Sequence, residues 1–374
     1  MSATAPAPPD RVGADEAERF LALVSGHART CGVTRLADIT RLDTIGLPVW
    51  QAVRPAGRAL SVHQGKAGGA TAAKIGALCE AIESHCAENV PADGPYCRFE
   101  ELPRRESAAN LSDYARRRTE EPPAGPLRWC LASELIGGGT FHLPHDLVSL
   151  DFTEPRRSWF DRSSAGLGLG ADEDAAISVS LLEQIERDSV GKWQRLPMAE
   201  RVACAIELDS IPYSWLLEWR DRLAAQGIEL VMFAPAALIP VPVAVCWIGG
   251  GEAFGPARRS FSGSACDSDP ERALFKALAE ALQSRLTFIA GVRDDILPSH
   301  YRERGSHLPQ ALAARRPWEV SAFDPGWRSI AAVLAATGYD RIAAKRLGAF
   351  EGVAVTKAFV PGLGSLKRTR RPPR

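Results

Sequence analysis

The sequence predicts an α+β domain in which long helices pack on an extensive sheet. Three segments carry apolar residues at helical spacing, and many short apolar runs bounded by Gly and Pro lie between them. Hydrophobic residues make up 45% and charged residues 24% of the 374 positions, which is the composition of a globular protein with a sizeable core. Strong helices spaced among many strands favour the α+β class.

The three strong helical patterns cover residues 71–88, 172–189 and 270–289. In the first, Ile75, Leu78 and Ile82 recur at the spacing that places side chains on one helical face. Weaker patterns predict a short helix at 20–27, helices at 215–226 and 327–337, and a helix-like stretch at 339–347.

Strands are predicted where apolar runs end in turn residues. They cover parts of 33–53, then 60–62, 228–233, 241–248 and 353–360, and 127–135 forms a hairpin with 141–143 around three glycines. Residues 121–126 are expected to be a loop, and 65–66 a turn. The Gly-x-Gly-x-Gly run at 166–170 is a poor match to the dinucleotide fingerprint and is interpreted as a flexible turn before a helix.

The chain is expected to hold one main domain. Residues 1–18 are rich in Ala, Pro and Asp, so we expect them to be loosely attached. This divides the chain into a flexible segment with a short helix at 1–32, a domain at 33–362, and a basic, flexible tail at 363–374.

Composition and charge exclude several classes of function. Lys plus Arg equals Asp plus Glu at 45 each, which argues against nucleic acid or an anionic membrane as a partner. No apolar run reaches the roughly 20 residues that span a bilayer, and the N-terminus lacks the order of a signal peptide, so a cytoplasmic protein is expected. The eight cysteines contain no C-x-x-C pair, which predicts free thiols near the core rather than a zinc site.

Two of the strong helices carry paired acids. Glu80 and Glu83 lie on the first helix, and Glu183 and Glu186 lie on the second, where Arg187 follows. A spacing of three places both carboxylates on one face among apolar neighbours, where they repel each other unless a cation neutralises them. Four converging carboxylates would suit Mg²⁺ with nucleotide phosphates as further ligands, and arginine suits a phosphate. The alternative is a pair of ordinary solvated helix faces.

Five ordered segments resemble the YcaO-like family. They are 35–49, 54–66, Leu-Cys-Glu-Ala-Ile-Glu at 78–83, 164–188 with Glu-Gln-Ile-Glu-Arg-Asp at 183–188, and 279–287 with Gly-Val-Arg-Asp-Asp at 291–295. The resemblance covers about residues 33–362. It implies a YcaO-like fold with an extensive mixed or antiparallel sheet, and a cytoplasmic homodimer that binds ATP and Mg²⁺ between helices with paired glutamates.

The resemblance also implies a reaction. YcaO-like proteins phosphorylate the oxygen of a peptide amide, which makes the amide carbon electrophilic. A Cys, Ser or Thr side chain then gives an azoline, and an external sulfide gives a thioamide. Cleavage of the peptide through the same activated amide is a third outcome.

Site residues are carried over by position. Glu80, Glu83, Glu183 and Glu186 become candidate metal ligands, and the last two with Arg187 become candidate catalytic residues. Arg187, Lys66, Gln283 and Arg293 become candidate nucleotide-binding residues. Lys66 lies in Gly-Lys-Ala-Gly-Gly, which lacks the Walker spacing, so a P-loop is not predicted.

Four positions depart from the family pattern. Gly76 replaces a Ser, Ser84 replaces an Arg, Ala171 replaces an Asn and Ala175 replaces a Glu. Alanine offers neither charge nor a hydrogen bond, although acids at 172–174 could compensate through a shifted turn. Two interpretations stay open: an enzyme with a reduced ligand set, or a catalytically impaired subunit that binds a peptide or presents it to a partner enzyme.

The partners follow from the same resemblance. No fused peptide-clamp domain is expected, since only about 30 residues precede the first of these segments, and the sequence ends in Arg-Pro-Pro-Arg rather than Pro-x-Pro-x-Pro. Such short chains resemble members that act on a peptide or protein substrate together with a separate partner, including TfuA-like proteins in thioamide formation. No nucleic acid and no membrane are expected as partners.

Overall fold

The computed structural model describes residues 5–8, 12–103, 111–114, 122–153, 159–250, 259–299, 301 and 315–363. The helices are α1 (Ala14–Thr30), α2 (Ala70–Glu88), α3 (His145–Val148), α4 (Glu173–Gln194), α5 (Met198–Val202), α6 (Ser214–Ala224), α7 (Pro270–Ala290) and α8 (Trp327–Ala336). The strands are β1 (Arg35–Asp38), β2 (Val49–Val53), β3 (Val62–Lys66), β4 (Tyr96–Cys97), β5 (Leu127–Glu134), β6 (Thr140–Pro144), β7 (Leu167–Gly170), β8 (Ile228–Phe233), β9 (Val243–Gly250), β10 (Ser260–Cys266), β11 (Ala343–Phe350) and β12 (Val353–Phe359).

Within the described residues the strands form three antiparallel sheets. The first has the order β1-β2-β3 and the second the order β10-β9-β8. The third has the order β4-β5-β11-β12-β7, with β6 paired to β5. Every residue of β12 is buried, as expected for a strand inside a sheet that is covered on both faces. This arrangement confirms the predicted α+β class.

Capping residues mark the starts of two of the three long helices, α4 and α7. The carboxylate of Asp172 caps α4 by accepting a hydrogen bond from the backbone nitrogen of Ala175 at 2.8 Å. Asp269 caps α7 and is followed by Pro270 in the first turn, while Gly291 ends that helix with φ of 61°. The sequence predicted all three helices to within a few residues, except that α4 extends to Gln194.

Each long helix packs on the strand that precedes it, and we call β3–α2, β7–α4 and β10–α7 the strand–helix units. A glycine permits the close approach in each unit. A Cβ built on Gly65 would lie 2.0 Å from the carbonyl oxygen of Ala73 and 2.2 Å from the nitrogen of Ala77. A Cβ built on Gly168 would lie 2.6 Å from a backbone oxygen of α4, and one built on Gly263 would lie 2.4 Å from a backbone oxygen of α7. The glycines therefore bring each strand within hydrogen-bonding reach of acids on the helices.

Several local predictions are wrong. Residues 65–66 belong to β3, and residues 167–170 form β7, because these glycines pack against helix backbones instead of forming turns. The stretch from 339 to 347 was predicted to be helix-like, yet Ala343–Phe350 is a strand paired with β12. Strand β10 was not predicted, because its serines and glycine conceal the apolar alternation.

The N-terminal region is more ordered than its composition suggests. Helix α1 begins at Ala14 rather than at 20, and its residues Val24 and Ala28 are fully buried with Ala81 of α2 in one core cluster. Residues 5–8 pack on the domain, because the indole nitrogen of Trp219 donates to the carbonyl of Pro6 at 2.6 Å. Residues 364–374 of the predicted tail lie outside the described residues.

The cysteines have the state that the sequence predicts. All eight cysteines are free thiols, and five of them are buried, which agrees with the prediction. Among the helices that the structure describes, none combines the length and apolar composition needed to cross a bilayer.

Candidate active site

The paired glutamates converge on one region between the strand–helix units. Glu80 and Glu83 project from α2, and Glu183 and Glu186 project from α4. A fifth acid, Glu280 of α7, joins them, and sequence analysis did not select it. The sequence does contain a pattern that points to Glu280, because this residue precedes Gln283 by three positions, about one helical turn, and so lies on the same helical face.

Backbone groups of the neighbouring strands hold these carboxylates. The nitrogen of Gln64 on β3 donates to Glu80 at 2.7 Å, and the backbone of Leu169 on β7 donates to Glu83. The nitrogen of Cys266 on β10 donates to Glu186 at 3.2 Å, and the hydroxyl of Ser264 donates to the same carboxylate at 2.7 Å. Glu80 thus binds the strand of its own unit, whereas Glu83 and Glu186 bind the strand of the following unit and so link the three units.

Two cavities meet at these acids. The inner cavity, of about 730 Å³, is lined by Glu80, Ser84, Arg187, Gln283 and Arg293 among others. The outer cavity, of about 1060 Å³, is lined by Asp172, Ala175, Glu186, Lys276 and Trp327 among others. Both cavities share Lys66, Glu83, Leu167, Glu183 and Glu280, and we call this shared wall the junction.

Burial and mutual repulsion raise the pKa values of the glutamates at and beside the junction. Burial, together with repulsion from Glu183 and Glu80, raises the pKa of Glu83 to about 8. Burial raises the pKa of Glu183 to about 7, with Glu186 adding to the rise and Arg187 opposing it. Burial also raises the pKa values of Glu80 and Glu186. A cation bound among these groups would be stabilised by their ionised forms and would displace their protons.

Three cationic side chains line the inner cavity. The ammonium of Lys66 lies 3.1 Å from Glu280, and the guanidinium of Arg187 lies 3.3 Å from Glu183. Arg293 forms two hydrogen bonds to the carboxylate of Asp295, at 2.9 and 2.6 Å. Lys66 and Arg187 therefore neutralise part of the acidic junction and leave donors that an anionic ligand can use.

Gln283 takes part in a buried amide cluster. Its Nε2 donates to the Oε1 of Gln64 at 3.3 Å, and the hydroxyl of Thr287 donates to the same oxygen. The Nε2 of Gln64 is buried and has no hydrogen-bond partner among the residues that the structure describes. A buried donor without an acceptor is costly, so it marks a wall that accommodates a ligand oxygen or a water.

The structure brings all eight selected residues to the two cavities. They are Lys66, Glu80, Glu83, Glu183, Glu186, Arg187, Gln283 and Arg293. Their individual roles as ligands stay predictions. Within the part of the chain that the structure describes, no three His, Cys, Asp or Glu side chains gather closely enough to hold a metal ion by themselves.

The donor set nevertheless fits Mg²⁺ with a phosphate. Mg²⁺ takes one or two carboxylates and completes its coordination with water and phosphate oxygens, so a closed protein cage is not required. Glu83 and Glu183 at the junction would provide such carboxylates, while Lys66 and Arg187 would contact phosphate oxygens.

Two departures from the family pattern have a packing explanation. A Cβ built on Gly76 would lie 3.3 Å from the Cα of Gly65, so α2 and β3 touch at two glycines. The hydroxyl of Ser84 lies 3.3 Å from the Nδ1 of His63. Gly76 is therefore part of the packing of the first strand–helix unit, whereas Ser84 contacts His63 and also lines the inner cavity.

The acids expected to compensate for the alanines at 171 and 175 are engaged elsewhere. Asp172 caps α4, and Glu173 pairs with Arg346 at 3.4 Å. Asp174 accepts hydrogen bonds from the indole of Trp327 at 2.8 Å and from Arg328 at 2.9 Å. Asp172 and Asp174 still line the outer cavity, where Ala175 contributes only a methyl group.

An acidic junction between two cavities, with Lys66 and Arg187 beside it, fits a divalent cation together with an anionic ligand. The chain belongs to the YcaO family, whose model, described as a YcaO cyclodehydratase that binds ATP and Mg²⁺, matches residues 64–364. Membership confirms the resemblance and the expectation of ATP and Mg²⁺ as cofactors, and it indicates an ATP-dependent enzyme.

Similar proteins agree with this family. A protein of Rhizobium leguminosarum bv. trifolii, described as uncharacterized in the tfuA 3' region, is 31% identical over 363 residues, which are 91% of this chain and 86% of the relative. The fold resembles a solved heterocyclase in complex with substrate and cofactor, with a TM-score of 0.71 and 16% identity over 96% of this chain. This chain spans about half of that heterocyclase, 54% of its length.

A second solved structure matches the chain over nearly its whole length. YcaO from Methanopyrus kandleri, bound with AMPPCP and Mg²⁺, has a TM-score of 0.64 and 20% identity, covering 92% of this chain and 90% of its own. At these identities the two structures establish the fold, and they confirm the predicted YcaO-like architecture.

Proposed function

We propose that this protein uses ATP and Mg²⁺ to phosphorylate a backbone amide of a ribosomally made peptide or protein, and so forms a thioamide or an azoline. The observation that carries the proposal is the junction, where acids from three helices with cations beside them separate two cavities. The reaction needs a nucleotide and a peptide whose reacting atoms meet, and two cavities with a shared wall suit that requirement.

The proposed chemistry follows from the leaving groups. The amide oxygen bonds to the γ-phosphorus while the bond from phosphorus to the ADP oxygen breaks. A thiol, hydroxyl or hydrosulfide then adds to the amide carbon and loses its proton, and the bond from that carbon to the phosphorylated oxygen breaks to release phosphate. Loss of the amide N–H proton completes the C=N bond of an azoline. Bound Mg²⁺ would supply charge stabilisation for the transferring phosphoryl group.

Residues of the chain have distinct parts in this proposal. Glu80, Glu83, Glu183 and Glu186 provide the carboxylates from which the metal is held, with Glu83 and Glu183 at the junction itself. Lys66 and Arg187 bind phosphate oxygens and stabilise the charge that develops during transfer. Gln283 and Arg293 line the inner cavity and contribute further contacts to the nucleotide.

The partner proteins are part of the same proposal. The relative from Rhizobium is described by its place in a tfuA 3' region, which supports a TfuA-like partner and a thioamide product. A homodimer in the cytoplasm remains the expectation from the family resemblance, and light scattering of the purified chain measures its oligomeric state.

Calorimetry tests the central step. Titration of the purified protein with ATP in the presence of Mg²⁺ should release heat, and Glu183→Gln should abolish the metal-dependent part of the binding. Glu173→Gln is the matched control, because Glu173 lies on the same helix but pairs with Arg346. Absence of binding at millimolar nucleotide, or equal affinity for Glu183→Gln and wild type, contradicts the proposal.

A second function is supported by Ala175. This residue lines the outer cavity where the family pattern has a carboxylate, and the acids at 172–174 already have partners of their own. A catalytically impaired subunit that binds a peptide or presents it to a partner enzyme would fold normally, form a stable complex and hydrolyse no ATP. Mass spectrometry of the treated peptide separates sulfur exchange, loss of water, cleavage and no reaction by their different mass changes.

A further inference from the structure

Ser84 occupies an unusual place in the site. It directly follows Glu83 on α2, is half-buried, and lines the inner cavity beside the junction. Its hydroxyl oxygen lies 3.3 Å from the Nδ1 of His63 on β3. Ser84 therefore connects the cavity to groups that the proposed reaction does not use.

A buried arginine, Arg54, contacts the imidazole of His63. The Nη1 of Arg54 lies 3.5 Å from the Nε2 of His63, and the guanidinium is held by Glu88 at 2.7 Å and by the carbonyl of Cys31 at 3.1 Å. Arg54, His63 and Glu88 are each no more than 5% exposed: 3%, 1% and 3%. The arrangement is thus fixed by packing as well as by hydrogen bonds.

The cation determines which nitrogen of His63 carries the proton. A guanidinium has donors only, so Nε2 must be the acceptor of the Arg54 contact, and a neutral ring then has its proton on Nδ1. Burial, assisted by the charge of Arg54, lowers the pKa of His63 to about 4, which keeps the ring neutral near pH 7. In this tautomer Nδ1 is the donor to the hydroxyl oxygen of Ser84, and the backbone of Leu60 is a further hydrogen-bond partner of the ring.

The hydroxyl proton of Ser84 remains available to a ligand, because the contact with His63 uses only its oxygen. The donors then form a chain from Arg54 through His63 to Ser84, and each member polarises the next. A chain that begins at a cation and ends at a hydroxyl proton favours an anionic oxygen as its final acceptor. Adjacent Glu83 belongs to the junction, where phosphate oxygens would complete the metal coordination.

We infer that the Ser84 hydroxyl binds a phosphoryl oxygen of the nucleotide, with His63 and Arg54 as positioning residues. This inference rests on the proposed ATP-dependent function. It also assigns a role to Ser84 at a position where the family pattern has an arginine. The charge of Arg54 polarises the neutral ring of His63, and the ring in turn polarises the hydroxyl of Ser84 in the cavity wall.

Calorimetry with ATP and Mg²⁺ tests the assignment. Ser84→Ala should weaken binding about tenfold, the size of effect typical of a hydrogen bond to a charged group. Ser284→Ala is the matched control, because Ser284 lines the same cavity but its hydroxyl already donates to the carbonyl of Ser262 at 3.1 Å. Its affinity should stay within about twofold of wild type.

The positioning role has a separate readout. His63→Leu should weaken ATP binding as much as Ser84→Ala does, and the double variant should be no weaker than either, because both changes remove the same donor. His63→Asn, which keeps an amide near the Nδ1 position, should lose less. Nitrogen NMR of the wild-type protein should assign the proton of His63 to Nδ1, and this measurement decides the point if His63→Leu fails to fold.

The outcomes separate this inference from the proposed function. Normal ATP binding by Ser84→Ala while wild type binds ATP overturns the inference and leaves the proposed function intact. A proton on Nε2 of His63, or equal losses in Ser84→Ala and Ser284→Ala, also overturns it. Absence of ATP binding by wild type overturns both.

Discussion

Lys66 on β3 donates a hydrogen bond to Glu280 on α7, with 3.1 Å between Nζ and Oε2. The contact joins the first and third strand–helix units at the junction, and it balances one of the five acids with a cation. The two residues are 214 positions apart in the chain, so their pairing is a property of the folded structure.

Replacement of Lys66 should weaken nucleotide binding more than it weakens the fold. Lys66→Met removes a phosphate donor and leaves Glu280 as an uncompensated charge next to the triphosphate. We expect the affinity for ATP with Mg²⁺ to fall about tenfold or more, the range of a charge-assisted hydrogen bond. Calorimetry measures the loss. Lys66→Arg should retain most of the affinity, and equal affinities for Lys66→Met and wild type would contradict a phosphate role.

The raised pKa values of Glu83, to about 8, and Glu183, to about 7, predict a pH dependence of metal binding. Below these values the carboxyls hold protons, which Mg²⁺ must displace. The affinity for Mg²⁺ with nucleotide should therefore rise as the pH increases from 6 to 8 and level off above, as titration calorimetry in a pH series can measure. Glu83→Gln should flatten this rise, and a wild-type affinity that falls with pH would contradict it.

The same groups predict an opposite trend for the stability of the unliganded protein. Their pKa values are higher in the folded state than in the unfolded state, where they lie near 4.5. Their contribution to stability is fully present below the unfolded value and is lost as the pH rises through 7 and 8. The Tm without ligand should thus decrease over this range, and saturating ATP with Mg²⁺ should reduce the decrease.

The packing of β3 on α2 predicts a contrast between two neighbouring glycines. Gly65→Ala would place a Cβ 2.0 Å from a backbone oxygen of α2, whereas a Cβ on Gly69 meets nothing within 4 Å. We expect Gly65→Ala to lower the free energy of unfolding by about 1–3 kcal/mol or more, since the backbone must move. Gly69→Ala should change it far less. Urea denaturation of both variants measures the difference, and similar values would show that the close approach is wrong.

The buried ion pair of Arg54 and Glu88 predicts a large loss of stability when one partner is removed. Arg54→Met leaves the carboxylate of Glu88, whose side chain is 1% exposed, without its cation. We expect a loss of about 3–5 kcal/mol, and the double variant Arg54→Met with Glu88→Leu should recover part of it. The exposed pair of Arg58 and Asp151 is the control, because Arg58→Ala should cost at most about 1 kcal/mol. Denaturant unfolding measures all three variants.

The tertiary structure explains which local predictions fail. The helical patterns of α2, α4 and α7 were recognisable because apolar residues repeat with the period of a helix over many turns. Strands β7 and β10 were not, because glycines and serines that look like turn residues are required where these strands touch helix backbones. The 339–347 prediction failed because Ala343, Ala344 and Lys345 are buried in succession, so β11 begins without the apolar–polar alternation of a half-buried strand.

The sequence by itself determined the α+β class, the long helices and the glutamate pairs, since these depend on the spacing of residues along one segment. Only the tertiary structure decided that Glu280 joins those pairs, that Lys66 balances it, and that His63 and Arg54 stand behind Ser84. These relationships connect residues far apart in the chain, and they depend on the angles and distances at which helices pack on strands. Spacing along the chain contains no record of that geometry.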